Sequence, residues 1–443
     1  MMKKYDAIVI GGGPGGTAAA YSLKEQGKTV AVIEADLWGG TCPNRGCDPK
    51  KILMSAVEAK AKVENLSGKG FEASPEIHWE ELMAFKRSYT ESIPSGTKCG
   101  IEEAEIDAYD GQAEFVDAHT IEVADERLEA KQFLIATGQR PSLLPVDGQE
   151  YLQTSTDFLN LDKLPERITF IGAGYIAFEL ATIANAAGAE VHVIQHNDQP
   201  LKGFDKELAM DLTKHLEEKG ITFHFNVDVD KVEAIDPGYR LTAENFELET
   251  DMVVVAAGRV PNIEALKLDN AQVEYTKKGI TVDDHLRTSK EHIFACGDVL
   301  DKSHPKLTPV SGFEASYVVK AMNGETEPIH YPLIPSVVFG DQRLARIGLS
   351  EKELSENSEK YHSETMDLGS WFTYFRVNDK GAKIKFVYDE EDRIVAITCL
   401  NEMADELINY FNLILEKQMT HEEIADYVFA YPTPASDLEY FIK

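Results

Sequence analysis

This sequence predicts an α/β chain with two parallel-sheet units and an α+β unit at its C-terminal end. Three observations carry that reading. The segment YDAIVIGGGPGGTAAAYSLKEQGKTVAVIEAD, residues 5–36, runs as an apolar strand, a glycine turn, an alanine-rich helix, a glycine and a second apolar strand. The segment RITFIGAGYIAFELATIANAAGAEVHVIQHND, residues 167–198, repeats that order. After about residue 331 the texture changes to strands such as IPSVVFG, ARIGLS, IKFVYD and IVAITCL with helices between them, and no glycine-rich loop recurs. A strand–turn–helix–strand order of this kind is a βαβ unit, and two of them indicate two dinucleotide-binding domains of Rossmann type.

In the first unit Gly11, Gly13 and Gly16 form G-x-G-x-x-G, with Pro14 and Gly15 inside the turn. Such glycines allow a tight bend, bring the backbone close to a pyrophosphate and let the helix pack closely, while the helix N-terminus faces the phosphate charge. Glu34 ends the second strand, where a carboxylate accepts both ribose hydroxyls.

Next comes GGTCPNRGCDPKK, residues 39–51, with four residues between Cys42 and Cys47. On a helix that spacing is slightly more than one turn, so the sulfurs can meet with modest distortion. A zinc site needs a second ligand pair at comparable spacing, and the sequence has none. A helix N-terminus and Lys50 lower a thiolate pKa, which favours redox chemistry over two inert thiols. Three later strands also run into glycine: KQFLIATGQRP with Thr137 and Gly138, DMVVVAAGRVPN with Gly258 and Arg259, and HIFACGDV with Gly297 and Asp298.

The second unit has Gly172 and Gly174, with Ala177 in the third place, and its second strand ends in Gln195 and His196. No acid stands there to hold a free ribose 2′-hydroxyl, and Lys202 follows. Neutral or basic groups suit a 2′-phosphate, which favours NADPH over NADH. The alternative is that Gln195 caps the strand and both nucleotides serve.

A chain of 443 residues exceeds a single core, so two or three domains are expected. The net charge of −32, from 76 acidic and 44 basic residues, repels nucleic acid and anionic membranes. The start MMKKYDAIVIGGG reads as a first strand rather than an export leader, and no apolar run is long enough to span a bilayer. Five cysteines, an odd number without an export signal, argue against a disulfide framework and for a cytoplasmic location.

The pattern GGTCxNxGCxPxK after a glycine fingerprint, followed by GAGYIAFE, ACGDV and KLTPV, resembles the class I pyridine nucleotide–disulfide oxidoreductases. Glutathione reductase, dihydrolipoamide dehydrogenase and mercuric reductase are members. The resemblance covers the whole chain. It implies an FAD-binding domain over 1–150 and 281–330, an NAD(P)-binding domain over 151–280, and a C-terminal dimerisation domain over 331–443, hence a homodimer. It further implies that Cys42 is the thiol that meets substrate and that Cys47 contacts the flavin. Lys50 matches the lysine beside the flavin N5, paired with Glu179; Tyr175, next to Ile176, covers the nicotinamide pocket. Asp298 matches the acid on the ribityl chain and Thr308 a contact near the flavin ring, while Cys296 reads as core. Gly40, Thr41, Lys51, Ala113, Thr137, Gly138 and Gly258 complete the implied cofactor set. The implied route takes hydride from NADPH through the flavin to Cys47, opening a Cys42–Cys47 disulfide.

The C-terminus departs from that pattern. Family disulfide reductases end in His-Pro-Thr with a glutamate five positions later, whereas AYPTPASDLEYF has Tyr431 and Ser436 there, with Asp437 one step on. A phenol with pKa near ~10 is a poorer proton shuttle at neutral pH than an imidazole near ~6.5. The glutathione-binding arginines of the family align with Tyr21 and Ser316, and the C-terminal cysteine pair of mercuric reductases is missing. The expected function is an NAD(P)H-dependent reductase of a disulfide other than glutathione disulfide. The alternatives are a flavin reductase of metal ions, quinones or oxygen, and a redox-sensing flavoprotein. Tyr431 either hydrogen-bonds at the site or packs the dimer.

Overall fold

Ala7, Ile8, Val9 and Ile10 are all buried in the strand Lys3–Ile10, as a parallel strand covered on both faces requires. This strand is central to one of two units in the computed structural model, which describes residues 2–442. The first unit comprises Met1–Lys51, Ala84–Ser142 and Gly258–His330, and the second Ile52–Met83, Leu143–Ala257 and Tyr331–Lys443.

The main sheet of the first unit has the order Asp107–Asp110, Val30–Glu34, Lys3–Ile10, Glu126–Ile135, Thr120–Val123, Glu114–Asp117. Strand Ile293–Ala295 also pairs with Glu126–Ile135, in parallel. The neighbours of Lys3–Ile10 are parallel to it, with Val9 opposite Val32 on one side and Leu134 on the other. The helices Pro14–Glu25 and Thr308–Met322 pack against each other. Alanines and glycines on the first helix permit that approach: a Cβ at Gly15 would already touch the Ser311 carbonyl at 3.4 Å. Cys296 lies in this core, where burial pushes its thiol up.

In the second unit a four-stranded parallel sheet has the order Thr222–Phe225, Glu190–Gln195, Arg167–Ile171, Met252–Val255. The helix Tyr175–Ala186 packs on it, with Ala177, Phe178, Leu180, Ala181, Ile183 and Ala184 buried. Lys231–Ala234, Tyr239–Ala243 and Phe246–Thr250 form a separate antiparallel sheet. The C-terminal part is an antiparallel sheet of five strands: Ser336–Val338, Arg343–Gly348, Ile394–Asn401, Lys383–Tyr388 and His362–Asp367. Helix Ala404–Lys417 buries Leu407, Ile408 and Phe411 beside it. The edge strand HSETMD is almost wholly exposed, so no apolar alternation marks it in the sequence. Among the described residues no helix is long and apolar enough to cross a membrane.

Candidate active site

Cys42 and Cys47 stand on two helices rather than one. Cys42 lies in the short helix Thr41–Arg45, and Cys47 opens the 19-residue helix Cys47–Asn65. Gly46 separates them with φ −134° and ψ −118°, and a Cβ there would sit 2.8 Å from the Thr41 carbonyl oxygen. That close approach, not a single helical turn, brings the sulfurs together. Gly40 enters the short helix at φ +68°, and a Cβ on it would lie 2.6 Å from the Gly13 Cα. The Asn44 amide ties this loop down, donating to the carbonyls of Trp38 at 2.9 Å and Gly40 at 2.8 Å.

Both cysteines are free thiols. The hydrogen bond from the Cys42 thiol pulls Cys47 down to about 6 against its desolvation, with Lys50, Thr308 and Lys51 adding to the effect. Cys42 moves the other way: it donates to Cys47 and is desolvated, and the Asp48 carboxylate adds to the rise. Within the reduced pair the proton is thus favoured on Cys42 and the negative charge on Cys47. Thr308, the first residue of its helix, places Oγ1 3.8 Å from Cys47 Sγ. Asp48 was not anticipated as a site residue. Its Oδ1 lies 3.8 Å from Cys42 Sγ, and its Oδ2 accepts a 2.9 Å hydrogen bond from the Tyr89 hydroxyl.

At the first glycine turn Gly11 has φ +115°, and a Cβ would lie 2.3 Å from the Ala136 carbonyl oxygen. The Gly12 N–H donates to Glu34 Oε2 and the Asp36 N–H to Oε1, each at 2.8 Å. Desolvation pushes the Glu34 carboxyl up, against those hydrogen bonds. Pro14 starts the helix, and Gly13 ahead of it offers an open backbone, with only Gly40 Cα near a built Cβ. Ala113 is buried just before the strand Glu114–Asp117. Thr137 Oγ1 donates to the Asn262 carbonyl at 2.7 Å, and Asn262 Nδ2 returns a 2.8 Å bond to the Thr137 carbonyl. Gly138 follows at φ +64°.

The half-buried Asp298 carboxyl is pushed up by desolvation, and among the described residues no side chain donates a hydrogen bond to it. Behind it the Gly297 N–H donates to Glu314 Oε2 at 2.7 Å, and Lys302 Nζ meets Glu314 Oε1 at 2.5 Å. This buried ion pair, which no motif announced, fixes the loop that carries Asp298. The residues fit FAD. Glu34 retains acceptor capacity for ribose hydroxyls, since a carboxylate offers about four acceptor sites and the backbone takes fewer. The desolvated Asp298 carboxyl could accept from a hydroxyl, and Gly13 leaves room for phosphate at a helix N-terminus.

In the second unit Gly172 has φ +108°, and a Cβ would lie 2.6 Å from the Ala256 carbonyl oxygen. Gly174 caps the helix Tyr175–Ala186; Tyr175 is exposed, Ile176 half-buried and Ala177 buried. Gln195 Oε1 accepts from the Ala173 N–H at 3.0 Å, and its Nε2 donates to Asn197 Oδ1 at 2.9 Å. His196 and Lys202 are exposed. Glu179 is buried and accepts a 3.3 Å hydrogen bond from the Phe339 N–H. Gly258, at φ +141°, belongs to the first unit, where its carbonyl accepts from the Ser142 N–H.

Tyr431 is 71% exposed, and its ring stacks on Phe372 with centroids 5.9 Å apart. Ser436 serves the local turn: its hydroxyl donates to the Thr433 carbonyl at 2.7 Å. Asp437 is buried, and burial pushes its carboxyl up. Tyr21 and Ser316 lie on the two packed helices of the first unit, and Ser316 Oγ donates to its own helix at the Gly312 carbonyl.

Residues 5–315 match the family described as pyridine nucleotide-disulphide oxidoreductase, and residues 334–440 match its dimerisation domain, which supports a homodimer. Dihydrolipoyl dehydrogenase 2 of Haloarcula marismortui is 32% identical over 97% of this chain and 94% of its own length. Glutathione reductase of Burkholderia cepacia is 33% identical over 98% of each chain. The structure of the HOCl-induced flavoprotein disulfide reductase RclA from Escherichia coli superimposes with a TM-score of 0.89 over 98% of this chain and 99% of the other. At 24% identity, that likeness is one of fold. With these matches over nearly its whole length, the chain belongs to the pyridine nucleotide-disulphide oxidoreductases, a family of enzymes that use FAD and NAD(P)H.

Proposed function

We propose that this protein is an FAD-containing reductase that takes electrons from NADPH and delivers them to a disulfide other than glutathione disulfide. The observation that carries this reading is the pairing of Cys42 and Cys47 across Gly46, on two successive helices, with Thr308 Oγ1 3.8 Å from the Cys47 sulfur. Bound FAD supplies the two-electron link between a nicotinamide and the thiol pair. The first unit's residues would hold it: Gly11, Gly13 and Gly16 for the pyrophosphate, Glu34 for the ribose, Asp298 for the ribityl chain, and Thr308 and Lys50 for the ring. Glu179 is assigned as the partner of Lys50, which would set the charge of that ammonium. Cys47 would be the thiolate on the flavin side, and Cys42 the thiol that meets the acceptor.

Specificity follows from what the chain lacks. Tyr21 and Ser316 supply no cation where a glutathione clamp needs one, and the chain carries −32. Gln195, His196 and Lys202 favour a 2′-phosphate. In a homodimer Tyr431 would stand near the partner subunit's Cys42, where a phenol donates to a leaving thiolate but rarely accepts a proton at neutral pH. A second reading, reduction of quinones or metal ions, is favoured by the same absence of an imidazole at position 431. The proposed location is the cytoplasm.

The test is an anaerobic NADPH titration followed by a panel of disulfides, quinones and metal ions. Turnover of a disulfide that depends on both Cys42 and Cys47 supports the first reading. Turnover of quinones or metal ions alone, undiminished in Cys42→Ser, would replace it with the second.

A further inference from the structure

The proposed disulfide chemistry needs a group to take the Cys42 proton and return it to the leaving thiolate, and position 431 offers no imidazole for that work. Among the described residues the acid that touches Cys42 is Asp48. Asp48 follows Cys47 directly, in the first turn of the long helix. Its two oxygens are divided between two groups: Oδ1 faces Cys42 Sγ at 3.8 Å, and Oδ2 accepts from Tyr89 at 2.9 Å. Catalytic hydrogen bonds are often this long in free enzymes and tighten in the substrate complex. Tyr89 comes from another helix, Trp79–Thr90, and is 45% exposed, so the Cys42–Asp48–Tyr89 row opens to solvent.

We propose that Asp48 is the acid–base catalyst of disulfide exchange at Cys42, supplied within the subunit, and that Tyr89 is the residue that positions it. The inference rests on the disulfide-reductase reading given above. The step balances as follows. The Cys42 sulfur attacks one sulfur of the substrate disulfide while its proton passes to the Asp48 carboxylate. A mixed disulfide forms, the substrate S–S bond breaks, and the departing thiolate takes the proton back from Asp48. The Cys47 thiolate then attacks the Cys42 sulfur, closing the Cys42–Cys47 disulfide. The second thiolate leaves and takes its proton from solvent. The dithiol loses two electrons and the substrate becomes two thiols. The groups that set the charge here are Cys47, Asp48, Lys50, Lys51, Thr308 and Tyr89.

The alternative is that Asp48 only opposes the Cys42 thiolate by its charge. Two disulfides separate these readings, because a basic leaving thiolate needs a proton and an acidic one does not. The FAD-loaded protein is assayed with NADPH and either bis(2-hydroxyethyl) disulfide or 5,5′-dithiobis(2-nitrobenzoate). Asp48→Asn is expected to lower kcat/KM for the alkyl disulfide by about 10²-fold, and for the aryl disulfide by less than about tenfold. Asp48→Glu should recover part of the alkyl activity. Tyr89→Phe should shift the pH profile of Cys42 alkylation by iodoacetamide, a readout that a packing role would not move. Equal losses with both disulfides, or a gain with both, overturn the proposal. If the native protein reduces neither disulfide, the disulfide-reductase reading fails and this inference falls with it. A native protein that reduces both, matched by Asp48→Asn, overturns this inference alone.

Discussion

At Gly11 and at Gly172 the chain makes the same left-handed bend, with φ +115° and +108°, and each bend presses against a carbonyl, that of Ala136 or Ala256. The next residue donates its N–H to the side chain that ends the second strand: Gly12 to Glu34 at 2.8 Å, and Ala173 to Gln195 at 3.0 Å. The two loops thus share one architecture and differ in its last group. Glu34 brings a desolvated negative charge with acceptor sites to spare. Gln195 brings a neutral amide whose nitrogen is already donating to Asn197. A second difference lies on the helix. A Cβ at Gly16 would sit 1.9 Å from the Gly11 carbonyl oxygen, whereas Ala177 carries a methyl in the corresponding place. The bend is a requirement of backbone geometry, and the strand end is where a nucleotide is chosen.

Breaking the bends should have the largest effect. In both Gly11→Ala and Gly172→Ala a side chain is forced to positive φ against a carbonyl oxygen, a cost of about 2–6 kcal/mol from strain and overlap together. If the two turns serve different ligands, Gly11→Ala should purify without FAD and melt early. Gly172→Ala should keep FAD while its NADPH KM rises by about 10²-fold. Loss of FAD from both variants would show that the turns are not independent. Flavin absorbance per chain and stopped-flow reduction check these outcomes.

The first turn leads into the thiol loop, where a pH titration sharpens the contrast. Cys47 is held at about 6, so its thiolate is present above that pH and is lost as pH falls through it. The long-wavelength absorbance expected of two-electron-reduced, FAD-loaded protein should fade with a midpoint near about 6. Cys42→Ala removes the hydrogen bond that holds Cys47 down, and its midpoint should move upward. A band that persists undiminished well below that midpoint would remove Cys47 from the flavin side of the loop. For the strand end, Glu34→Gln should weaken FAD binding by about tenfold, since a charged acceptor becomes a neutral one. Dialysis against potassium bromide followed by FAD fluorescence titration measures it.

What could be read from the sequence follows the same division. Gly11, Gly172 and Gly40 were legible because positive φ and close approach leave glycine as the residue that fits, and Gly138 because of its positive φ alone. The central strands were legible from their valine and isoleucine runs. The strand His362–Asp367 was not, because its exposed HSETMD face carries no apolar period. The cysteine loop was legible as a motif but not in its geometry, since Gly46 breaks it into two helices by a contact that spacing does not encode. Asp48 stood inside that motif without notice because its partner Tyr89 is 41 positions away. The Lys302–Glu314 pair behind Asp298 was hidden for a simpler reason: a buried ion pair twelve residues apart leaves no periodic trace.

The smallest effect, and the most direct on the comparison, is expected from Gln195→Glu. This change places at the second strand end the group that closes the first. The backbone is ready for it, because the Ala173 N–H that now donates to Gln195 Oε1 would donate to a carboxylate oxygen in the same place. The cost is on the other side of the residue. Gln195 Nε2 now donates to Asn197 Oδ1, and a carboxylate there would face that oxygen, so the Asn197 amide must rotate and present its nitrogen. That rotation takes Oδ1 from the Gln199 N–H, which it accepts at 3.0 Å, and Nδ2 from His196 Nε2, so it costs about 1–3 kcal/mol, and the substitution should still fold. The charge would then repel a 2′-phosphate and accept from a 2′-hydroxyl. The ratio of kcat/KM for NADH to that for NADPH should rise by about tenfold, mostly through KM, with FAD content unchanged. His196 and Lys202 remain exposed beside the site and limit the change, so a full reversal is not expected. If the ratio stays where it was, Gln195 is a strand cap only, and nucleotide choice lies with His196 and Lys202. If NADPH affinity collapses together with NADH affinity, the carboxylate has disturbed the turn itself, and the likeness between the two loops is weaker than their shared hydrogen bond implies.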